Sequence, residues 1–105
     1  MIYGTELKID GNTYEVIASA GEYDYSWHEA ALLRLDGQLY FAESSGCSCY
    51  GFEDNVSASD LEPVRNWQEA VEKAKDCIAD EHVATFAERL AEIRPASSSV
   101  PGVTL

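Results

Sequence analysis

Apolar and polar positions alternate at strand period over the first two thirds of the chain, and glycine-bearing turns divide that stretch into short runs. Leu7 and Ile9 lead into Asp10-Gly11, a hairpin signal because Gly tolerates positive φ. Thr13 to Ala18 follows, rich in β-formers, with Tyr14 and Val16 on one face and Ile17 on the other. Gly21 breaks that run, and Tyr23, Tyr25 and Trp27 then alternate with Glu22, Asp24 and Ser26. Ala30 to Leu35 is nearly all apolar, as expected of a central strand. Asp36-Gly37 is a second hairpin signal, and Leu39 to Ala42 is the return strand. The pattern predicts an antiparallel sheet of four to five strands in meander order.

A loop is predicted from Glu43 to Glu62, with a helical turn at Ser59 to Glu62 closed by Pro63. The last third changes to helical period. Asn66 is placed to cap a helix beginning at Trp67, with Glu69 completing the capping pattern. Trp67, Ala70, Val71, Ala74, Cys77 and Ile78 fall on one stripe; Val83, Phe86, Ala87, Leu90 and Ile93 make another. At about 100° per residue the two stripes centre roughly 130° apart, so one straight helix would bury two different faces. A break near Asp80 resolves this, because Asp is a good N-cap. The alternative is a continuous helix whose second stripe meets another copy in a homodimer. Pro95 is expected to stop the helix, leaving Ala96 to Leu105 as a disordered tail. The expectation is therefore a single α+β domain over residues 1–95, an antiparallel meander sheet with two C-terminal helices packed on one face, and a tail over 96–105.

Composition narrows what such a domain can do. The chain has 105 residues, with 19 acidic and 7 basic side chains and a net charge of -12. That charge argues against direct nucleic-acid binding, which needs Lys and Arg to neutralise phosphates, and against an anionic membrane surface. No apolar run approaches the roughly 20 residues that span a bilayer, and residues 1–10 lack a signal-peptide pattern. Three cysteines make an odd count for a secreted disulfide framework, so a reducing cytoplasm fits best.

The most distinctive stretch is Ser44 to Asp54, SSGCSCYGFED. Cys47 and Cys49 form a C-x-C that, with Cys77 and either His28 or His82, offers four donors for a tetrahedral zinc. A dithiol–disulfide cycle is a second reading, although no basic residue nearby lowers a thiol pKa. The favoured reading needs no metal or cofactor: Gly46 and Gly51 permit a tight loop that buries the cysteines as small side chains, and Cys77 sits on an apolar helix stripe. The run from Trp27 through LYFA, SGCSC and FED to Asp60-Leu61-Glu62-Pro63-Val64 resembles a family of small proteins encoded by actinobacterial phages and prophages. Those proteins carry an S-G-C-S-C block after a strand and a D-L-x-P-V block before a terminal helix. The resemblance covers roughly residues 27 to 72; it implies phage origin and expression in the host cytoplasm, with no activity attached.

Catalytic signatures of the nucleotide-binding, zincin and serine-hydrolase types are missing, so no enzyme is expected. His28 and His82 lack a nucleophile at a recognised spacing, and Glu53-Asp54 reads as a turn cap. Two features point to binding. Tyr23, Tyr25 and Trp27 would share a strand face, and Tyr and Trp are enriched at interaction hot spots. Glu69, Glu72 and Asp76 would point outward from the first helix, and Glu81, Glu88 and Glu92 from the second. The expected partner is a host or phage protein with a basic surface, one that the acidic array takes from nucleic acid.

Overall fold

The computed structural model describes residues 2, 5–23, 26–47 and 51–98, with side chains up to Glu92. Five strands form one antiparallel sheet in meander order: β1 Glu6–Ile9, β2 Asn12–Tyr23, β3 Ser26–Leu35, β4 Gln38–Cys47 and β5 Glu62–Val64. Two helices follow, α1 Trp67–Ala74 and α2 Asp80–Ser98, and pack on one face of the sheet. This is the predicted α+β architecture. The fifth strand is Glu62–Val64, where the sequence pattern suggested only the exit from a helical turn. Pro63 is tolerated there because β5 lies at the sheet edge.

Both Asp-Gly hairpins form as the local chemistry dictates. Asp10 and Gly11 have φ of 49° and 87°, and Asp36 and Gly37 have 51° and 80°. Positive φ at both central residues is the turn whose twist matches paired strands. Gly21, by contrast, does not break its strand. It lies inside β2 opposite Glu29 of β3, and Tyr23 and Trp27 are cross-strand partners at the far end of the same hairpin. Glycine is required there by close approach. A Cβ would overlap the carbonyl oxygen of His28 and lie 2.7 Å from the Cα of Glu29.

A bulge between Val16 and Ala18 reverses the side-chain parity of β2. Tyr14 and Val16 thus face one side while Ile17, Ala18 and Ala20 serve the helix side. β3 is the central strand. Ala30 and Leu32 meet the helices, while Trp27, Ala31 and Leu33 join a second core on the opposite face with Leu7, Ile9, Phe52 and Leu61. The segment that covers that second face is 52–61, predicted as open loop. It holds two short 3₁₀ turns, Phe52–Asn55 and Ala58–Asp60. Asp54 closes the first by accepting from the Gly51 N–H at 2.7 Å. Asp60 closes the second by accepting from the Ser57 N–H at 2.9 Å. The cap therefore pairs Ser57 with Asp60 rather than Ser59 with Glu62.

The helical phase shift is relieved by a break, as expected. α1 ends at Ala74 and α2 begins at Asp80. Ala79 supplies the first acceptor, taking the Val83 N–H at 3.0 Å, so Asp80 sits in the first turn rather than at the cap. With the break, Ala70 and Ala74 of α1 and Val83, Phe86 and Leu90 of α2 all enter one core. Val83, Phe86 and Leu90 of the second stripe are thus covered within the chain, while the Ile93 side chain lies outside the described residues. Pro95 does not stop α2, which continues to Ser98. An interior proline removes one helical N–H and crowds the preceding turn, but its fixed φ near -65° is itself helical, so it does not force the helix to end. Residues 99–105 of the expected tail lie outside the described residues.

Candidate functional site

Trp27 is not a surface residue. It is 2% exposed and stacks on Phe52 with ring centroids 6.4 Å apart. Its indole N–H donates to the Cys47 carbonyl at 2.8 Å. It faces away from the helices, inside the second core, and so does not belong to the expected binding strip. Tyr23 remains 45% exposed, and its hydroxyl donates to Glu29 Oε2 at 2.9 Å. Glu29 is buried, and its Oε1 accepts from the Ile2 N–H at 2.9 Å. Tyr25 lies outside the described residues.

Burial, followed by the Glu29 charge, pushes the Tyr23 phenol up to about 12 from its usual 10.0. The folded state therefore favours the neutral phenol. That contribution is complete below about pH 10 and disappears as pH rises through 12. A difference titration of phenolate absorbance between wild type and Tyr23→Phe is expected to show one tyrosine with a midpoint near 12. A midpoint near 10 would place Tyr23 away from Glu29.

On α1, Glu69 is less available than its helical position suggested. Its carboxylate accepts from the Arg65 N–H at 2.8 Å, while its own N–H donates to Asn66 Oδ1 at 2.9 Å. The bond from the Arg65 backbone holds its carboxyl below the usual range. Glu72 is exposed and pairs with Lys75 at 2.5 Å; Asp76 is exposed.

The helix junction and the far end of β3 and β4 bring together His28, Glu43 and Cys77. His28 Nε2 is 2.9 Å from Glu43 Oε2. Burial opposes ionisation of Glu43, but hydrogen bonds from Cys77 and His28 outweigh it and hold the carboxyl below its usual value. Cys77 Sγ also lies 3.4 Å from the Lys73 carbonyl. Its pKa is pushed up to about 12 by burial and then by Glu43. The carboxylate thus separates thiol from imidazole and disfavours the thiolate, the reverse of what a nucleophile needs. His82 Nε2 lies 3.8 Å from Glu22 and 3.7 Å from Glu81.

Cys47 is exposed at the end of β4, which corrects its expected burial; Cys77 is half-buried against the helix-side core. Cys49 lies outside the described residues. Among the described residues, no group of three or more His, Cys, Asp or Glu side chains is arranged to hold a metal ion. At pH 8 a maleimide is expected to label Cys47 quickly and Cys77 only after unfolding, read by peptide mass mapping. Equal labelling would mean that Cys77 lacks the burial and the acidic neighbour described.

Sequence reasoning missed Glu29 and the outer edge of β4. Glu29 shares parity with Trp27, Ala31 and Leu33 in an apolar strand, which is the signal of an inward carboxylate. Glu43, Asn55, Asp60 and Glu62 gather along β4 from separate segments, and no sequence period joins them.

The architecture defines a small, strongly acidic α+β meander domain with an apolar layer on each sheet face. A family model described as a domain of unknown function, DUF7574, matches residues 12–100, and the chain belongs to that family. No curated protein and no solved structure matches the chain.

Proposed function

We propose that this is a small acidic accessory protein, phage-encoded as the sequence resemblance implies, that binds a host or phage protein through a basic surface and competes with nucleic acid for it. The supporting observation is how charge is distributed. Arg34, Arg65, Lys73 and Lys75 are each tied to a carboxylate, of Glu15, Glu69, Glu62 and Glu72 respectively. These pairs neutralise most of the 7 basic side chains locally, against 19 acidic ones. The excess is carried by exposed carboxylates in every layer, among them Asp10, Glu22, Asp54, Asp76, Glu81 and Glu88. Such an array produces a surface potential of several kT, which raises the rate of encounter with a cationic partner. The protonated Cys77 thiol fits binding better than turnover.

The test is association kinetics with a partner captured from an actinobacterial lysate, at 0.1 M and 1 M salt. Screening shortens the Debye length from about 10 Å to about 3 Å over that range. The association rate is expected to fall about tenfold or more. Charge reversal at Glu72, Asp76 and Glu88 is expected to lower it at low salt; Glu69 is left intact because it holds the Arg65 amide. A rate indifferent to both salt and reversal would reduce the acidic surface to a solubility feature.

A further inference from the structure

β5 covers only part of the outer edge of β4. Leu39, Tyr40 and Phe41 pair with Val64, Pro63 and Glu62. β4 continues to Cys47, and among the described residues no strand pairs with it beyond Phe41 on that side. Ser45 shows which groups face outward, because its carbonyl accepts from Asn55 Nδ2 at 2.7 Å. Alternate residues of a strand present their N–H and C=O to the same edge. Glu43 therefore faces outward with Ser45, in line with Phe41 and its partner Glu62.

Two cavities of about 290 and 250 Å³ flank this edge and share Glu43 and Asn55. Asp60 and Glu62 line the first, and His28 and Ser45 the second; among the described residues no lysine or arginine lines either. The opposite edge of the sheet differs. β1 pairs with β2 no further than Glu15, but α2 packs along β2, and Arg89 donates to the Ser19 carbonyl across that edge. Among the described residues, the β4 edge beyond Phe41 carries one exposed side-chain amide, that of Asn55.

We propose that an extended basic segment of the partner adds to the outer edge of β4 as a sixth strand of the five-stranded sheet. This rests on the acidic-binding reading above and names the segment it recognises. Outward N–H and C=O groups of Glu43 and Ser45 pair with the segment's backbone, and the Asn55 amide is displaced from Ser45. A residue directly opposite Glu43 shares its face of the sheet. That is also the face of Glu62, which pairs with Phe41 next in line. A lysine or arginine there lies between the two carboxylates. Glu62 already holds Lys73 at 2.6 Å, but a carboxylate has about four acceptor positions and keeps capacity for a second cation. The segment is therefore extended, with basic side chains at alternate positions.

The probe is a labelled octapeptide alternating lysine and valine, compared with the same peptide N-methylated on the amides that would face β4. The unmethylated peptide is expected to bind at least tenfold tighter to the wild-type protein. Ser45→Pro removes an outward N–H that an edge strand can lose without unfolding, and is expected to weaken binding tenfold or more. Asn55→Ala is expected to tighten it severalfold, and the Glu43 and Ser45 amides should exchange more slowly when peptide is bound. Equal binding of both peptides, or protection appearing along β2 instead, overturns strand addition. If that happens while binding still weakens with salt, the acidic-surface reading stands without it. If neither peptide binds at low salt, strand addition fails; the broader reading is then decided by the captured partner's salt dependence.

Discussion

Gly21→Ala is expected to lower stability by about 3 kcal/mol or more, at the top of the range for overpacking a core. The added methyl would overlap the His28 carbonyl oxygen and lie 2.9 Å from its carbonyl carbon and 2.7 Å from the Glu29 Cα. All three are backbone atoms of the neighbouring strand and cannot rotate aside. Either β2 and β3 part locally or the register of the hairpin slips, and a slip of one residue would turn every buried side chain outward. For a domain near this size each kcal/mol lowers the melting temperature by roughly 4–8 °C, so a fall of about 12–24 °C is expected. Gly11→Ala is the control. Gly11 has φ of +87° with nothing within 4 Å of an added Cβ, so only left-handed strain applies, about 1–2 kcal/mol. If Gly21→Ala melts with the wild type, or if Gly11→Ala is the more damaging, β2 and β3 do not approach as described.

The contrast between those two glycines shows what the chain made legible. Asp10-Gly11 and Asp36-Gly37 announce hairpins because the conformation they favour is local. The break before Asp80 was legible for a similar reason: the phase of an apolar stripe is a property of one helix, and Val83, Phe86 and Leu90 were out of phase with Ala70 and Ala74. Gly21 was misread because its requirement comes from a strand that follows it in sequence. Tyr23 and Trp27 share a face as cross-strand partners of β2 and β3, not by alternation along one strand, and which face is covered depends on segment 52–61. Phe52 and Leu61 are isolated apolar residues among Glu53, Asp54, Ser57, Ser59 and Asp60, so no period marks them as a layer. The β4 edge was hidden for a further reason. It exists because β5 ends its pairing at Glu62, and the groups along it come from β4, β5 and two turns. Cys77 was placed on the helix core side, yet its neighbour Glu43, which governs its chemistry, comes from β4.

Phe52→Ala tests whether that second layer is a true core. Phe52 is fully buried, stacks on Trp27 with planes 18° apart, and packs with Leu7, Ile9, Leu33 and Leu61. Removing its ring deletes these contacts and leaves a cavity that the flanking 3₁₀ turns, closed by Asp54 and Asp60, can only partly fill. A loss of about 3–5 kcal/mol is expected. Against a typical total of about 5–15 kcal/mol, that is roughly a fifth or more of the stability of a domain this size. The readout is denaturant unfolding by fluorescence in a Trp67→Phe background, so that emission reports Trp27 alone. The midpoint should fall, and native emission should shift red as water reaches the indole. Phe52→Leu, which keeps most of the volume, should recover much of the loss. An unchanged midpoint with a red-shifted native spectrum would mean that segment 52–61 lies loosely on the sheet. Trp27 would then be accessible from that side, and with Tyr23 it would return as the binding face in place of the β4 edge.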